Sequence, residues 1–229
     1  IRDYRVTGVQ TCALPICAWA VAPDSALACR LLADCLLQGK HPAEAAAIFD
    51  ALPPQVERDH DWHNARGNVQ FLCGRLQDAV HSFMQALALK MDAPLVHYRL
   101  GLCFMDLHMR REAVECFRTA IALDDPTVRA LALSLLVHEA QQACDWSHLA
   151  DDSAALLQAI DQADATTSGL LSPFALLALD VTPAQQRRIG ELRTRGLAQH
   201  ILPLPPAGPR RPDRKSTRLN SSHLVISYA

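Results

Sequence analysis

The chain has 229 residues, of which 50% are hydrophobic, 20% are charged and 5% are aromatic, and its formal net charge is −2. A charge so close to zero lacks the basic surface that phosphate-backbone binding requires, so nucleic acid is not expected as a partner. No apolar run approaches the roughly 18 residues of a membrane-spanning helix, so no membrane span is expected. Glycine is sparse, at 9 residues, while alanine and leucine are abundant, which favours an all-α chain.

Both ends of the chain resemble translated sequencing-library adapters. Residues 1–16 read IRDYRVTGVQTCALPI, and residues 213–229 read DRKSTRLNSSHLVISYA. We exclude these segments from fold prediction, as is done for cloning scars, and a natural terminus is the alternative. They carry five basic and two acidic residues, a net of +3, so the −2 of the whole chain becomes −5 for residues 17–212. The native part is therefore expected to be truncated at both ends.

Three columns of residues recur at a spacing of 34. A small residue is followed twelve positions later by alanine, and four positions after that by phenylalanine. The three sets are Ala33, Ala45 and Phe49; Gly67, Ala79 and Phe83; and Gly101, Ala113 and Phe117. This period and order resemble the tetratricopeptide repeat (TPR), a pair of antiparallel helices. The resemblance implies small residues where helices cross closely, and an aromatic that fills the space between one repeat and the next.

Residues 17–126 are predicted to form the TPR array, beginning with the tail of an earlier repeat. The complete repeats span residues 24–58, 59–92 and 93–126. Glycine in the first two turns between paired helices, Gly39 and Gly74, predicts backbone at positive φ there. Because no single helix pair can bury its apolar face, the repeats are expected to stack into an α-solenoid.

Residues 127–200 are predicted to form a helical extension in which the three columns are lost. Helical periodicity continues to residue 143, and Asp145 is predicted to be the N-cap of the next helix. Thr182 and Gln185 form a capping-box pattern that opens a helix ending near residue 198. Residues 201–212 are proline-rich and are predicted to be an extended linker.

Four short segments after the repeats narrow the assignment. They are residues 143–146 (ACDW), 172–179 (SPFALLAL), 183–186 (PAQQ) and 203–206 (PLPP). In this order they resemble the bacterial O-linked N-acetylglucosamine (O-GlcNAc) transferase-like, or SPINDLY-type, family. The resemblance implies a TPR array that leads into a two-lobed, UDP-GlcNAc-dependent glycosyltransferase. Its catalytic lobes would begin where the adapter-like sequence starts, so no residue here is assigned a catalytic role and no cofactor is expected.

The first helix of each repeat is predicted to line a groove that binds proteins or extended peptides. Positions three before, one after and four after the small residue share one helical face. The predicted groove residues are Arg30, Asp34, Asn64, Asn68, Phe71, Tyr98, Leu102 and Met105, with Leu37 completing the pattern. Polar groups beside aromatics suit peptide recognition. A solvated helix face without a ligand is the alternative.

The asparagine ladder of animal relatives is not expected in this groove. In those relatives an asparagine stands two positions before the small residue of each repeat. The corresponding residues here are Leu31, Ala65 and Arg99.

Histidine pairs are the main candidates for metal chemistry. His60 and His63 lie on one helical face and are flanked by aspartates, but two clear ligands fall short of a zinc set. We interpret them as part of a polar helix cap, and no metal is expected. His138 and Glu139 resemble the start of a zinc-protease motif, yet Gln142 stands where the second histidine is required.

Seven cysteines lie within residues 17–212, and none forms a Cys-x-x-Cys pair. Most occupy apolar helical positions, so they are interpreted as reduced core residues of a cytoplasmic protein. A disulfide framework is the alternative.

Two functions remain as hypotheses. The first is the protein-binding TPR arm of an O-GlcNAc transferase-like enzyme, and the second is a free-standing TPR adaptor. The proline-rich segment and the family-like segments from residue 143 onward favour the first.

Overall fold

The structure, a computed structural model, describes residues 25–53, 56–162, 176 and 179–198. Within these residues the regular elements are helices, and no strand is present. They are α1 (Ala26–Gln38), α2 (Pro42–Ala51), α3 (His60–Leu72), α4 (Leu76–Leu89), α5 (Pro94–Asp106), α6 (Arg110–Ala122), α7 (Pro126–Gln142), α8 (Leu149–Gln162) and α9 (Pro183–Ala198). The adapter-like ends, the predicted tail of an earlier repeat and the proline-rich linker lie outside the described residues.

Polar caps start the first helix of several pairs. The side chains of Ser25, Asp59 and Asp125 accept hydrogen bonds from backbone N–H groups two or three residues later. These bonds satisfy donors that the first turn of a helix leaves unpaired. The caps lie at the boundaries between repeats, where the sequence pattern predicted that each new helix pair begins.

Each turn between paired helices contains a residue with left-handed backbone conformation at the equivalent position. Lys40, Gly74 and His108 have φ values of 62°, 75° and 62°, and they are 34 residues apart. The N–H of the next residue then bonds back to the carbonyl five positions earlier, as from His41 to Leu36 at 2.8 Å. The prediction of positive φ is confirmed at Gly74 but is wrong at Gly39, where φ is −73°. Repeat geometry, rather than glycine, fixes the position.

The repeat columns meet inside the second and third helix pairs. A Cβ atom added to Gly67 would come 2.7 Å from the ring of Phe83, so the small residue does lie where two helices approach closely. Phe49 instead meets Trp62 of the following repeat edge-on, with ring centroids 5.4 Å apart. The aromatic column therefore makes two kinds of contact. The contact with the next repeat was predicted, whereas the contact within the same repeat was not.

The helix pairs stack in one direction. We call α1, α3, α5 and α7 the first helices and α2, α4, α6 and α8 the second helices. Among the described helices, consecutive first helices approach one another closely, whereas the backbones of consecutive second helices do not. The first helices therefore line the tighter, inner side of the stack. The predicted all-α TPR solenoid is confirmed.

The stack continues beyond residue 126 although the sequence columns end there. α7 packs against both α5 and α6, as α5 packs against α3 and α4. Its residues Val128, Ala132 and Leu136 share a buried cluster with Phe117 of α6. α8 then packs on α7, so the two helices repeat the arrangement of the pairs before them.

The starts of the last two helices were predicted with different success. Asp145 is not an N-cap, because α8 begins only at Leu149 and the Asp145 carboxylate accepts from the Ser147 N–H at 3.1 Å. The capping box of α9 forms as predicted. The Thr182 N–H donates to Gln185 Oε1 at 3.0 Å, and the Gln185 N–H donates to Thr182 Oγ1 at 3.3 Å.

Ion pairs link successive helix pairs. Asp50 of α2 lies 3.3 Å from Arg75 at the start of α4, and Arg110 of α6 lies 3.0 Å from Glu139 of α7. The Glu139 side chain is almost fully buried, with 3% of its surface exposed.

In the part of the chain that the structure describes, no helix has both the length and the apolar character needed to cross a bilayer.

Candidate functional site

Charged and amide side chains from three first helices meet on the inner side of the stack. We call Arg30, Asp34, Asp61, Asn64 and Arg99 the inner-face network. Arg30 and Asp34 lie one turn apart on α1, Asp61 and Asn64 lie on α3, and Arg99 lies on α5. The network therefore crosses three consecutive repeats.

The first link of the network joins α1 to α3. Arg30 Nη1 donates to Asp61 Oδ2 at 2.6 Å. The arginine side chain is 24% exposed and the aspartate side chain is 59% exposed, so the pair lies at the surface of the groove. Such an exposed pair contributes little stability, about 0–1 kcal/mol, but it fixes where the two charges lie.

The second link joins α5 to α3. Arg99 Nη1 donates to Asn64 Oδ1 at 2.8 Å. Burial lowers the pKa of the Arg99 guanidinium, and the nearby Asp34 carboxylate opposes that shift. Partial desolvation raises the pKa of the Asp34 carboxyl, while Arg30 and then Arg99 oppose it. Asp34 lies one turn beyond Arg30 on the same face of α1, and among the described residues it forms no ion pair with either arginine.

Two amides on α3 retain hydrogen-bonding capacity. Asn64 uses its Oδ1 to accept from Arg99, and its amide N–H groups donate to none of the described residues. Asn68, one turn further along α3, is half-buried and makes no hydrogen bond within the described residues. An asparagine amide offers one acceptor and two donors, which matches the C=O and N–H of a peptide bond.

The apolar half of the predicted groove is partly used in packing. Tyr98, Leu102 and Met105 are half-buried against the cluster that α5 shares with α6 and α7. Phe71 packs similarly against the cluster between the second and third repeats. The Tyr98 ring centroid lies 5.9 Å from that of Phe117, and burial raises the pKa of the Tyr98 hydroxyl. These residues thus hold repeats together and present only part of their surface.

Leu72 is an apolar residue of this region that the sequence prediction left out. It follows Phe71 at the end of α3 and is 52% exposed. It therefore offers a free apolar contact one turn beyond Asn68.

The predicted groove set omitted Arg99 and Asp61, which complete the network. Arg99 occupies the position two before the small residue, where the other repeats carry Leu31 and Ala65. A charged residue in a column otherwise apolar is the signal that could have identified it. Asp61 carried no comparable signal, because its role depends on the distance between α1 and α3.

The two histidines considered for a metal site have separate surroundings. His60 Nδ1 lies 3.0 Å from the carbonyl oxygen of Ala86. The His63 ring packs edge-on against Trp62, with centroids 5.1 Å apart. No group of three histidine, cysteine or acidic side chains is arranged to hold a metal ion among the residues that the structure describes.

Two buried thiols and one partly buried thiol show little nucleophilic character. Burial raises the pKa of Cys29 to about 11, of Cys103 to about 12 and of Cys116 to about 11. These thiols are protonated near neutral pH, whereas nucleophilic attack needs the thiolate. The residues of the inner-face network donate and accept hydrogen bonds.

Comparison with known proteins supports the repeat assignment. A family model described as tetratricopeptide repeat matches residues 18–69. MamA has a similar solved structure, with a TM-score of 0.59 and 14% sequence identity over 65% of this chain and 85% of MamA. No curated protein matches the chain significantly.

Two further solved structures share the fold. YrrB, titled a TPR protein with an unusual peptide-binding site, is 15% identical with a TM-score of 0.55, over 64% of this chain and 75% of YrrB. PilF of Pseudomonas aeruginosa is 18% identical with a TM-score of 0.55, over 80% of this chain and 79% of PilF. Identities this low establish the fold alone, which is the TPR-type α-solenoid.

Proposed function

We propose that this chain is a scaffold that binds extended protein segments on its inner face. The observation that carries the proposal is the free amide of Asn68 beside the inner-face network. An extended segment crossing α1, α3 and α5 would meet hydrogen-bonding side chains on each helix, and Leu72 would supply an apolar contact. The printed title of YrrB, a structure of the same fold, describes a peptide-binding site in that protein.

The parent protein is, in our proposal, an O-GlcNAc transferase-like enzyme for which this array is the substrate-binding arm. The ordered segments at residues 143–146, 172–179, 183–186 and 203–206 support it. A free-standing TPR adaptor is the second candidate, favoured by the general fold likeness to MamA and YrrB.

Sequencing the intact gene separates these two candidates. The transferase requires a few hundred further residues of α/β pattern after Pro212, whereas a stop codon near Pro212 would leave the adaptor. The same sequence tests the adapter origin of residues 1–16 and 213–229, because natural codons there would contradict it. Incubation of the present chain with UDP-GlcNAc and acceptor proteins should give no sugar transfer above a blank.

Peptide binding is tested with matched amide variants. We expect end-capped peptides selected from a random library to bind with micromolar or weaker Kd, because a short groove gives a small interface. Asn68→Ala should weaken binding about tenfold, by removing a hydrogen bond worth about 1.4 kcal/mol. Gln77→Ala, on the exposed surface of α4, is the control and should bind as the wild type. Equal affinities for all three proteins would show that the inner face is not the site.

A further inference from the structure

The inner-face network balances its charges internally. Arg30 is paired with Asp61 at 2.6 Å, Arg99 is held by Asn64 at 2.8 Å, and Asp34 lies one turn beyond Arg30 on the same face of α1. Two arginines and two aspartates therefore share this face, and one of the ion pairs, between Arg30 and Asp61, joins neighbouring first helices. A charged ligand side chain placed here would meet one like charge for every opposite charge.

The unused binding capacity of the face is uncharged. It consists of the amide N–H groups of Asn64, the whole amide of Asn68, and the exposed side chain of Leu72. A charged group entering the network would displace Arg30 from Asp61 or Arg99 from Asn64, leaving a partly buried charge without its partner. The exposed pair of Arg30 with Asp61 is disrupted at little cost, but leaving the half-buried Arg99 guanidinium without Asn64 costs more than an exposed contact returns.

We propose that the inner face selects extended segments whose side chains are uncharged where they cross α1, α3 and α5, and that Asp34 keeps the face neutral. The inference rests on the proposed function, since it specifies the class of segment bound at the same site. The backbone amides of the segment bind Asn64 and Asn68, and an aliphatic side chain contacts Leu72. Asp34 is then a specificity-determining residue, although it need not touch the segment.

The geometry sets the length of a suitable probe. Packed helix axes lie about 8–10 Å apart, so the distance from α1 to α5 is about 20 Å. An extended chain advances about 3.3 Å per residue, so about six residues cross the network. We would use three libraries of end-capped peptides about ten residues long, one uncharged, one containing Lys and Arg, and one containing Asp and Glu.

For the wild type we expect the uncharged library to be enriched over both charged libraries. The best uncharged binders should change Kd less than about twofold between low and high salt, because only charged pairs are screened. Introducing a Lys or a Glu at the centre of such a binder should weaken it about tenfold. Enrichment of either charged library, with Kd rising steeply with salt, would overturn the inference while leaving peptide binding intact.

Asp34→Asn provides the sharper test. It removes one negative charge from the network, so the two arginines face a single aspartate and the preference should shift to the Asp/Glu library. Asp78→Asn is the matched control, because Asp78 pairs with Arg75 on α4, at 2.8 Å, and its loss changes the total charge equally. The control should keep the uncharged preference. An identical shift in both variants, or none in Asp34→Asn, contradicts the role of Asp34, and absence of binding in all three libraries refutes the proposed function as well.

Discussion

Phe117 lies directly against the backbone of Gly101, where an added Cβ atom would come 2.6 Å from the phenylalanine ring. Both residues belong to columns that recur every 34 residues, and the equivalent pair of Phe83 and Gly67 has the same geometry at 2.7 Å. Because Phe117 is fully buried, its ring has no free direction in which to move. The small-residue column is therefore a packing requirement of α5 against α6.

Gly101→Ala should accordingly destabilise the protein by about 1–3 kcal/mol, the usual cost of overpacking a core. Gly190→Ala is the matched control, since no atom lies within 4 Å of a Cβ added at Gly190 in α9. That substitution should be neutral or stabilising by up to about 1 kcal/mol through helix propensity. Urea unfolding of both variants measures the difference, and equal midpoints would contradict the packing argument.

The left-handed turn positions give a second comparison among equivalent residues. Gly74, at a φ of 75°, adopts its conformation without steric cost, whereas Lys40 and His108 adopt a φ of 62° with a side chain attached. Gly74→Ala should destabilise by about 1 kcal/mol, and Lys40→Gly and His108→Gly should each stabilise by up to about 1 kcal/mol. Thermal unfolding of the three variants measures these changes, and the Tm should fall for Gly74→Ala and rise for the two glycine substitutions. A destabilised Lys40→Gly variant would show that side-chain contacts of Lys40 outweigh its backbone conformation.

The sequence predicted the parts of this fold that depend on local spacing. Gly67 was correctly placed where two helices cross closely, because the strict period of 34 marks that crossing in each repeat. Its contact with Phe83 was not predicted, since the aromatic column was assigned to the space between repeats. The capping box of Thr182 with Gln185 was also predicted, since it involves residues three positions apart. Three of the five residues of the inner-face network were named from the sequence. The link between Arg99 and Asn64 was not, because these residues are 35 positions apart and meet only through the relative position of α3 and α5.

The continuation of the stack through α7 illustrates the other limit. The columns of Gly101 and Phe117 continue to Leu135 and Asp151, which break the repeat pattern. Packing continues nevertheless, because Ala132 and Leu136 fill the space beside α5 and α6 with different side chains. A repeat motif thus describes one solution to helix packing, and a helix can join the stack without it.

The stability of the junction between α6 and α7 depends on Arg110, because this arginine is the ion-pair partner of the buried Glu139. Arg110→Met should destabilise the protein by about 1–3 kcal/mol, because a buried carboxylate would lose its ion pair while Arg110 itself is partly exposed. Adding Glu139→Gln should recover part of that loss by removing the unpaired charge. Arg187→Ala, which breaks an exposed pair in α9, should change stability by less than about 0.5 kcal/mol. A double variant no more stable than Arg110→Met alone would contradict this explanation.

His63 should make the stability of the second repeat depend on pH. Burial against Trp62 is the main cause that lowers the pKa of its imidazole, and the charges of Arg58 and Arg66 act in the same direction. The unfolded chain then binds a proton more readily than the folded protein does. The neutral form therefore contributes stability that is complete above the ordinary histidine pKa of about 6.5 and is lost as pH falls through the lower folded pKa.

Urea unfolding between pH 8 and pH 5 measures this loss. His63→Gln should show a flatter decline in the free energy of unfolding than the wild type as pH falls, since glutamine cannot take up the proton. His81→Gln, at an exposed position of α4, is the control and should reproduce the wild-type pH profile. If the His63→Gln profile runs parallel to that of the wild type, the histidine titrates alike in the folded and unfolded chains. The contact with Trp62 would then have no electrostatic consequence.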